Sequence, residues 1–168
     1  MKRFDISLLQ HIDDMVCSNN NLIFLIMILN LACTNELDKR ITQVNYGTSF
    51  GECMGYCNHQ VSFTVDSLKY SCISNGNILP QKDFSEKTKS TTWDSIRTNI
   101  ATSSFFALPA VIGCPDCADG GAEWLELILN NGETHKVSYE YGNSPTIIKD
   151  YINKCKQILD KNTCQQAY

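Results

Sequence analysis

The chain has 168 residues, of which 43% are hydrophobic and 19% charged, with 14 Lys and Arg against 18 Asp and Glu and a net charge of -4. This length predicts one domain with enough apolar residues for a core, which argues against a disordered protein. The acidic balance, without any basic run, argues against nucleic acid as a partner.

An apolar segment near the N-terminus indicates the destination of the protein. Residues 22–31 read LIFLIMILNL, which is too short to span a bilayer but is typical of the apolar part of a secretory signal. Ala32 followed by Cys33 resembles the lipobox of bacterial lipoproteins, in which the cysteine is lipidated. We therefore predict a leader over residues 1–32, a lipid on Cys33 and a tether over residues 33–40, with a buried core helix as the alternative for the apolar segment.

The predicted anchor sets the expected location and the expected state of the cysteines. An Asp directly after the lipidated cysteine resembles an inner-membrane retention signal, but this chain has Thr34 at that position. We therefore expect a cell-envelope protein anchored by lipid to the outer membrane of a Gram-negative bacterium. Beyond the membrane, paired cysteines are usually disulfides. The single cysteine-rich domain predicted over residues 41–168 holds an odd number of cysteines, so at least one thiol is left over: Cys53, Cys57, Cys72, Cys114, Cys117, Cys155 and Cys164.

Two hairpins are predicted from alternating apolar and polar residues. The first covers residues 61–72, and the second joins a strand over 122–129 to a strand over 135–141 through the turn residues Asn131 and Gly132. Residues 81–90 are charged and show no period, so we expect a loop there.

Two helices are predicted from apolar residues that recur at helical spacing. The first covers residues 91–100, behind a Thr91-x-x-Asp94 capping signature. The second begins near Pro145 and carries an apolar stripe over residues 148–159 opposite a row of lysines. The order β-β-β-α-β-β-α predicts an α+β fold with a mostly antiparallel sheet of about five strands, packed on one face by two helices.

Two cysteine blocks carry the most distinctive sequence in the domain. Residues 50–57 read FGECMGYC, and residues 113–124 read GCPDCADGGAEW. With the elements around them, these blocks resemble a group of small uncharacterised bacterial lipoproteins, a domain family of unknown function, which carry F-G-x-C-x-G-Y-C and G-C-P-D-C-A-D-G-G-A-E-W. The resemblance covers roughly Val44 to Leu159. It implies export and lipid anchoring, and it implies no substrate.

Two interpretations of these blocks use all their thiols. In the structural interpretation, Cys53, Cys57, Cys114 and Cys117 form disulfides within or between the blocks, each typically worth about 2 to 4 kcal/mol. In the metal interpretation, the same thiolates form a tetrahedral site for Zn or Cu, with His59 as an alternative ligand. The separation of the two blocks is longer than in ordinary zinc modules.

Two further interpretations concern the second block alone. Thiol-disulfide exchange at Cys114 and Cys117 is one, although Asp116 lies beside the thiols and would favour their inert, protonated form. Weak calcium binding through Asp116, Asp119 and Glu123 is the other. The remaining cysteines, Cys72, Cys155 and Cys164, are further disulfide candidates.

These observations together predict a non-catalytic, membrane-anchored lipoprotein with a disulfide-stabilised binding or envelope-associated module. Its ligand would be an unknown protein or small molecule, and we expect no cofactor. A Cys-ligated Zn or Cu lipoprotein is the alternative, followed by a thiol-disulfide oxidoreductase. The domain contains His59 and His135 but no hydrolase or nucleotide-binding motif, and His135 alternates with its neighbours as a structural residue of a strand would.

Overall fold

Seven strands form one sheet in the computed structural model, which describes residues 40 to 161. The elements are, in chain order, β1 (Ile41–Ser49), β2 (Tyr56–Thr64), β3 (Ser67–Ser74), β4 (Lys82–Lys87), α1 (Ser90–Arg97), α2 (Thr102–Phe106), β5 (Val111–Ile112), β6 (Ala122–Leu129), β7 (Thr134–Glu140) and α3 (Lys149–Asp160). The strand order is β4-β3-β2-β1-β6-β7-β5. Neighbouring strands are antiparallel, except that β5 runs parallel to β7.

The α+β class and the mainly antiparallel sheet are therefore confirmed, whereas the predicted number of elements is wrong. The charged segment expected to be a loop contains β4, which forms an exposed edge strand and therefore shows no alternation of burial. The short helix α2 and the two-residue strand β5 are also additional elements. Both are too short to produce a periodic pattern in the sequence.

One face of the sheet carries the core. The inward side chains of the central strands are fully buried, among them Tyr46, Phe63, Leu125 and Tyr139. Because successive side chains of a strand point to opposite faces, the residues between them form a second, more polar face. On that face Asn45 donates a 2.7 Å hydrogen bond to Glu126.

The helices cover the apolar face of the sheet. Trp93 and Ile96 of α1, Phe105 of α2, and Ile152 and Leu159 of α3 join the core. Full burial of such a side chain stabilises a fold by about 1.5 to 3 kcal/mol. Packing against the sheet therefore holds these short helices, which would be marginal in isolation.

The starts of two helices differ from the prediction. Helix α1 follows Lys89, and no side chain caps its N-terminus. The predicted capping residue Asp94 instead binds the Arg97 Nε at 2.9 Å. Before α3, Ile148 donates a hydrogen bond back to the Pro145 carbonyl at 3.0 Å, which forms a 3-10 turn and delays the α-helix.

Several predictions lie outside the described residues. They concern the leader over 1–32, Cys33 with nearly all of the tether over 33–40, and Cys164. Within residues 40–161, no helix has the length and apolar character needed to cross a membrane.

Candidate functional site

The two cysteine blocks meet at one end of the sheet. Ser49, the last residue of β1, pairs with Asn58 of β2 on one side and with Ala122 of β6 on the other. The segment that precedes β2 and the segment that precedes β6 therefore lie at the same end of the sheet. We call residues 50–57 together with residues 113–121 the disulfide end.

The first block is closed by a disulfide between Cys53 and Cys57, whose Cα atoms are 5.7 Å apart. Cys53 is exposed and Cys57 is buried. The Asn75 amide, from the turn after β3, donates to the carbonyls of Phe50 at 2.9 Å and Gly51 at 2.7 Å. The block is thus attached to the neighbouring hairpin through its backbone.

The second block is closed by a disulfide between Cys114 and Cys117, whose Cα atoms are 5.5 Å apart. Both residues are exposed. The Cys114 N–H donates a 2.9 Å hydrogen bond to Glu140 at the end of β7. This bond, followed by one from Asn143, lowers the pKa of Glu140, because both bonds favour the charged carboxylate.

The backbone of the second block is strained. Asp116, Ala118 and Asp119 all have positive φ, at 60°, 51° and 58°. Asp tolerates this region through its short polar side chain, whereas for Ala it costs roughly 1 to 2 kcal/mol. The Asp116 N–H donates to the Gly121 carbonyl at 3.0 Å, so the loop is closed by a hydrogen bond as well as by the disulfide.

Direct contacts join the two blocks. The Gly51 N–H donates to the Asp116 carboxylate at 3.2 Å. Phe50 packs so closely on Gly121 that a Cβ there would lie 2.4 Å from the Phe50 ring. The same ring lies 4.8 Å from that of Tyr141. The disulfide end is therefore one connected surface and not two separate loops.

A buried ion pair lies where this surface meets the core. Glu123 is 1% exposed, and it accepts hydrogen bonds from Lys156 of α3 at 2.6 Å and from the Tyr46 hydroxyl at 3.3 Å. Partial burial alone would lower the pKa of Lys156, but the hydrogen bond and attraction to Glu123 raise it. Lys156 also lies 4.4 Å from the Tyr141 ring centre, so α3 is linked to the disulfide end.

The other cysteines differ in state. Cys72, buried in β3, is disulfide-bonded. Cys155 of α3 is a free, fully buried thiol, and burial raises its pKa well above the ordinary value. A buried thiol of raised pKa is a poor nucleophile and a poor metal ligand.

The metal interpretations find no assembled ligand set. In residues 40–161, no group of three or more His, Cys, Asp or Glu side chains is arranged to hold a metal ion. The thiols of the two blocks are paired as disulfides, and His59 binds the Tyr56 carbonyl at 2.9 Å. The calcium candidates do not share a site, since Asp116 accepts a hydrogen bond from Gly51 whereas Glu123 is buried and paired with Lys156.

Residues outside the cysteine blocks complete this end of the sheet. Asn75, Glu140 and Lys156 each make an anchoring hydrogen bond, yet none of them belongs to a motif. Glu140 alternates with apolar residues as a solvent-facing strand residue would, and Lys156 resembles the other lysines of α3. The pairing of β3 with β2 brings Asn75 to the blocks, the pairing of β7 with β6 brings Glu140, and the packing of α3 on the sheet brings Lys156.

Comparison with known proteins gives no assignment. No protein-family model matches the chain, and no curated protein matches it significantly.

Proposed function

We propose that this chain is a non-catalytic lipoprotein of the cell envelope that binds a partner protein through its disulfide end. One observation carries the proposal: two disulfide-closed loops from distant parts of the chain form one exposed surface through the Gly51–Asp116 hydrogen bond. Loops that are already held in place lose little conformational entropy on binding, which raises affinity for a given contact area.

The exposed side chains of this surface support a protein partner. Met54, in the first loop, is 94% exposed, and Tyr141, whose ring adjoins that of Phe50 in the same loop, is 42% exposed. Tyrosine is enriched at interfaces, and the flexible thioether of methionine adapts to the shape of a partner. The acidic residues Glu52, Asp116 and Asp119 of the two blocks are also exposed, so the preferred partner surface carries positive charge as well as apolar groups.

The proposed anchor would attach the domain to the membrane through the start of β1, at the opposite end of this strand from the disulfide end. Residues 33–40 would join a lipidated Cys33 to β1, and eight residues extend at most about 28 Å. A Cys33→Ser variant tests this part of the proposal. We expect incorporation of labelled fatty acid and sedimentation with membranes for the wild-type protein, and loss of both for the variant. Fatty-acid labelling that persists in the variant would contradict an anchor at Cys33.

The oxidation state of the cysteines is tested first, by mass spectrometry. The protein is purified without reductant, alkylated and digested, and the same sample is examined by elemental analysis. We expect linked peptides for Cys53–Cys57 and Cys114–Cys117, an alkylated Cys155 after unfolding, and no stoichiometric metal. Free thiols in both blocks together with one equivalent of Zn or Cu would contradict the disulfide scaffold and support the metal alternative.

The partner surface is tested by site-specific photo-crosslinking in cells. A photoreactive amino acid replaces Met54 at the disulfide end or, as a control, Phe84, which is 52% exposed on the edge strand β4. We expect a discrete crosslinked protein from the Met54 position that is absent from the Phe84 position. Equal labelling at both positions would mean that the disulfide end has no special role in binding.

The exposed second disulfide keeps thiol-disulfide exchange as another candidate. Both Cys114 and Cys117 are accessible to an attacking thiolate. Structural disulfides have reduction potentials below about -300 mV, whereas exchange proteins lie between about -270 and -120 mV. Equilibration with a thiol buffer of defined potential distinguishes the two, and we expect a potential in the structural range.

A further inference from the structure

Strand β4 is the long open edge of the sheet. It pairs with β3 without a bulge, and no strand among residues 40–161 covers its other side. The opposite edge of the sheet is β5, which has only two residues. An edge strand presents a row of unpaired backbone N–H and C=O groups with which another strand can pair. Of the two edges, β4 is therefore the one that offers a regular surface for strand addition.

Three side chains of β4 lie on the core side of the sheet without being covered. Phe84, Lys82 and Glu86 are each opposite a buried residue of β3, so they share the face that carries the core. Phe84 is nevertheless 52% exposed. Glu86 accepts a 3.2 Å hydrogen bond from the Tyr70 hydroxyl, and the Lys82 ammonium lies 4.9 Å from the Tyr56 ring centre. Neither charge has an ion-pair partner within the described part of the chain.

Strand geometry limits how two copies of β4 can pair. The backbone N–H and C=O groups of successive residues point to alternate sides of a strand. Two directly opposed residues of an antiparallel pair either both point toward each other or both point away. Two identical strands can therefore pair only about a twofold axis that passes through a residue, because an axis between two residues would oppose backbone groups of unlike direction.

Charge excludes most of these registers. Four of the six residues of β4 are charged, and an axis through any of them places like charges opposite each other: Lys82, Asp83, Glu86 and Lys87. Like charges directly opposite in a sheet are destabilising. Two registers remain, with the axis at Phe84 or at Ser85.

The register centred on Phe84 fits the side chains better. An axis at Ser85 places Phe84 opposite Glu86, and its charge pair uses Asp83, a carboxylate already held by hydrogen bonds within its own chain. An axis at Phe84 places the two Phe84 rings opposite each other and Lys82 opposite Glu86 on both sides. Aromatic pairs and pairs of opposite charge are the cross-strand pairs that stabilise sheets. This register therefore gives each unpaired charge a partner and covers the exposed ring.

We propose that β4 is a self-association edge, at which a second copy of this chain adds its own β4 antiparallel about a twofold axis at Phe84. The two seven-stranded sheets then form one continuous sheet, with each Lys82 paired to Glu86 of the partner subunit. Both copies use the same strand, so the interface is isologous and the assembly closes at two copies. It shares no residue with the disulfide end, so it is independent of the partner proposed above.

Sedimentation and hydrogen exchange on the purified protein test the association. We expect a reversible monomer–dimer equilibrium, together with exchange protection of the β4 amides that rises with protein concentration. The amides of Val111 and Ile112 in β5 are the internal control and should show no such rise. A photoreactive amino acid at Phe84 should link two copies of the chain, a product distinct from a crosslink to another protein at Met54. A chain that stays monomeric up to about 1 mM, where even weak specific complexes form, would overturn the proposal.

Charge reversal tests the register. Lys82→Glu and Glu86→Lys each place like charges opposite each other in the homodimer, so we expect each variant alone to dimerise at least tenfold more weakly than the wild-type protein. In an equimolar mixture, one copy carries two carboxylates and the other two ammonium groups at these positions, so both ion pairs form again.

The mixture should therefore recover wild-type dimerisation, which also shows that both variants are folded. Lys149→Glu, the same charge change at an exposed position of α3, is the matched control and should dimerise like the wild-type protein. Wild-type dimerisation of either β4 variant alone would place the interface elsewhere and refute the proposal. A mixture that stays as monomeric as the separate variants would refute the register centred on Phe84, and with it the proposal.

Discussion

The Lys156 ammonium donates a 2.6 Å hydrogen bond to the carboxylate of Glu123, a residue with 1% of its surface exposed. The two partners are not equivalent, because the Lys156 side chain is 30% exposed and can reach water whereas Glu123 cannot. Removal of the Lys156 charge and removal of the Glu123 charge should therefore reduce stability by different amounts.

Lys156→Met leaves a buried carboxylate without its cation, and breaking a buried pair in this way costs about 3 kcal/mol or more. Glu123→Gln leaves a lysine that can turn to solvent, so we expect a clearly smaller loss. The free energy of unfolding from urea denaturation at neutral pH measures both. Equal losses, or a larger one for Glu123→Gln, would show that the ion pair is not the dominant contribution at this position.

The hydrogen bond from Cys114 to Glu140 makes the second cysteine block sensitive to acid. The pKa of Glu140 is lowered from its ordinary value of 4.5 in the folded protein. A lowered pKa stabilises the folded state above the unfolded value, and this contribution is lost as the pH falls through the folded pKa. We expect the Cys114 amide resonance to titrate below pH 4.5 in the wild-type protein and to lose this titration in Glu140→Gln. Glu52→Gln, an exposed carboxylate of the other block, serves as the control and should leave the titration unchanged.

Two glycines separate backbone strain from steric clash. Gly121 and Gly132 have similar positive φ, 79° and 83°, but only Gly121 has a neighbour, Phe50, in the space of a Cβ. Alanine at either position costs roughly 1 to 2 kcal/mol for the left-handed backbone. We expect Gly121→Ala to lose at least 1 kcal/mol more, in the range of overpacking a filled site. Similar losses in thermal unfolding would mean that Phe50 moves aside freely.

The free thiol of Cys155 should not react with alkylating reagents in the folded protein. It is completely buried, and burial raises its pKa. We expect no maleimide label on the Cys155 peptide at pH 8 in the native state, and complete labelling of that peptide in concentrated guanidinium chloride, both read by mass spectrometry. Rapid native alkylation would mean that α3 detaches from the sheet more readily than its packing indicates.

Sequence patterns predict the parts of the fold in which burial alternates strongly. The hairpin of β2 and β3 and the amphipathic helix α3 are examples, since one apolar face in each packs on the core. Strand β4 is not predicted from the sequence, because all its residues are exposed and no alternation of apolar residues marks it. Its hydrogen bonds to β3 define it as a strand. The same limit applies to β5, where two residues cannot form a pattern.

The candidate site was predictable in its cysteines but not in its arrangement. The spacing of Cys53 with Cys57 and of Cys114 with Cys117 allowed local bridges, bridges between the blocks or a metal site. The pairing of β1 with both β2 and β6 brings the blocks together, and this pairing links residues far apart in the sequence. Long-range pairing of this kind leaves no local signal.

The central position of β1 also sets the order in which the sheet can be completed. Strands β1 and β2 can pair as soon as both have been synthesised, but the other side of β1, from Ile41 to Ser49, finds its partners only in β6, from Leu129 to Ala122. Until β6 exists, the inner edge of β1 presents unpaired backbone groups to any other extended chain. Nascent or truncated chains that end before Ala122 should therefore be the species most prone to associate. Because the pairing of β1 with β6 spans a long stretch of sequence, it should form slowly, and during that time a chaperone that covers the exposed strand would suppress association.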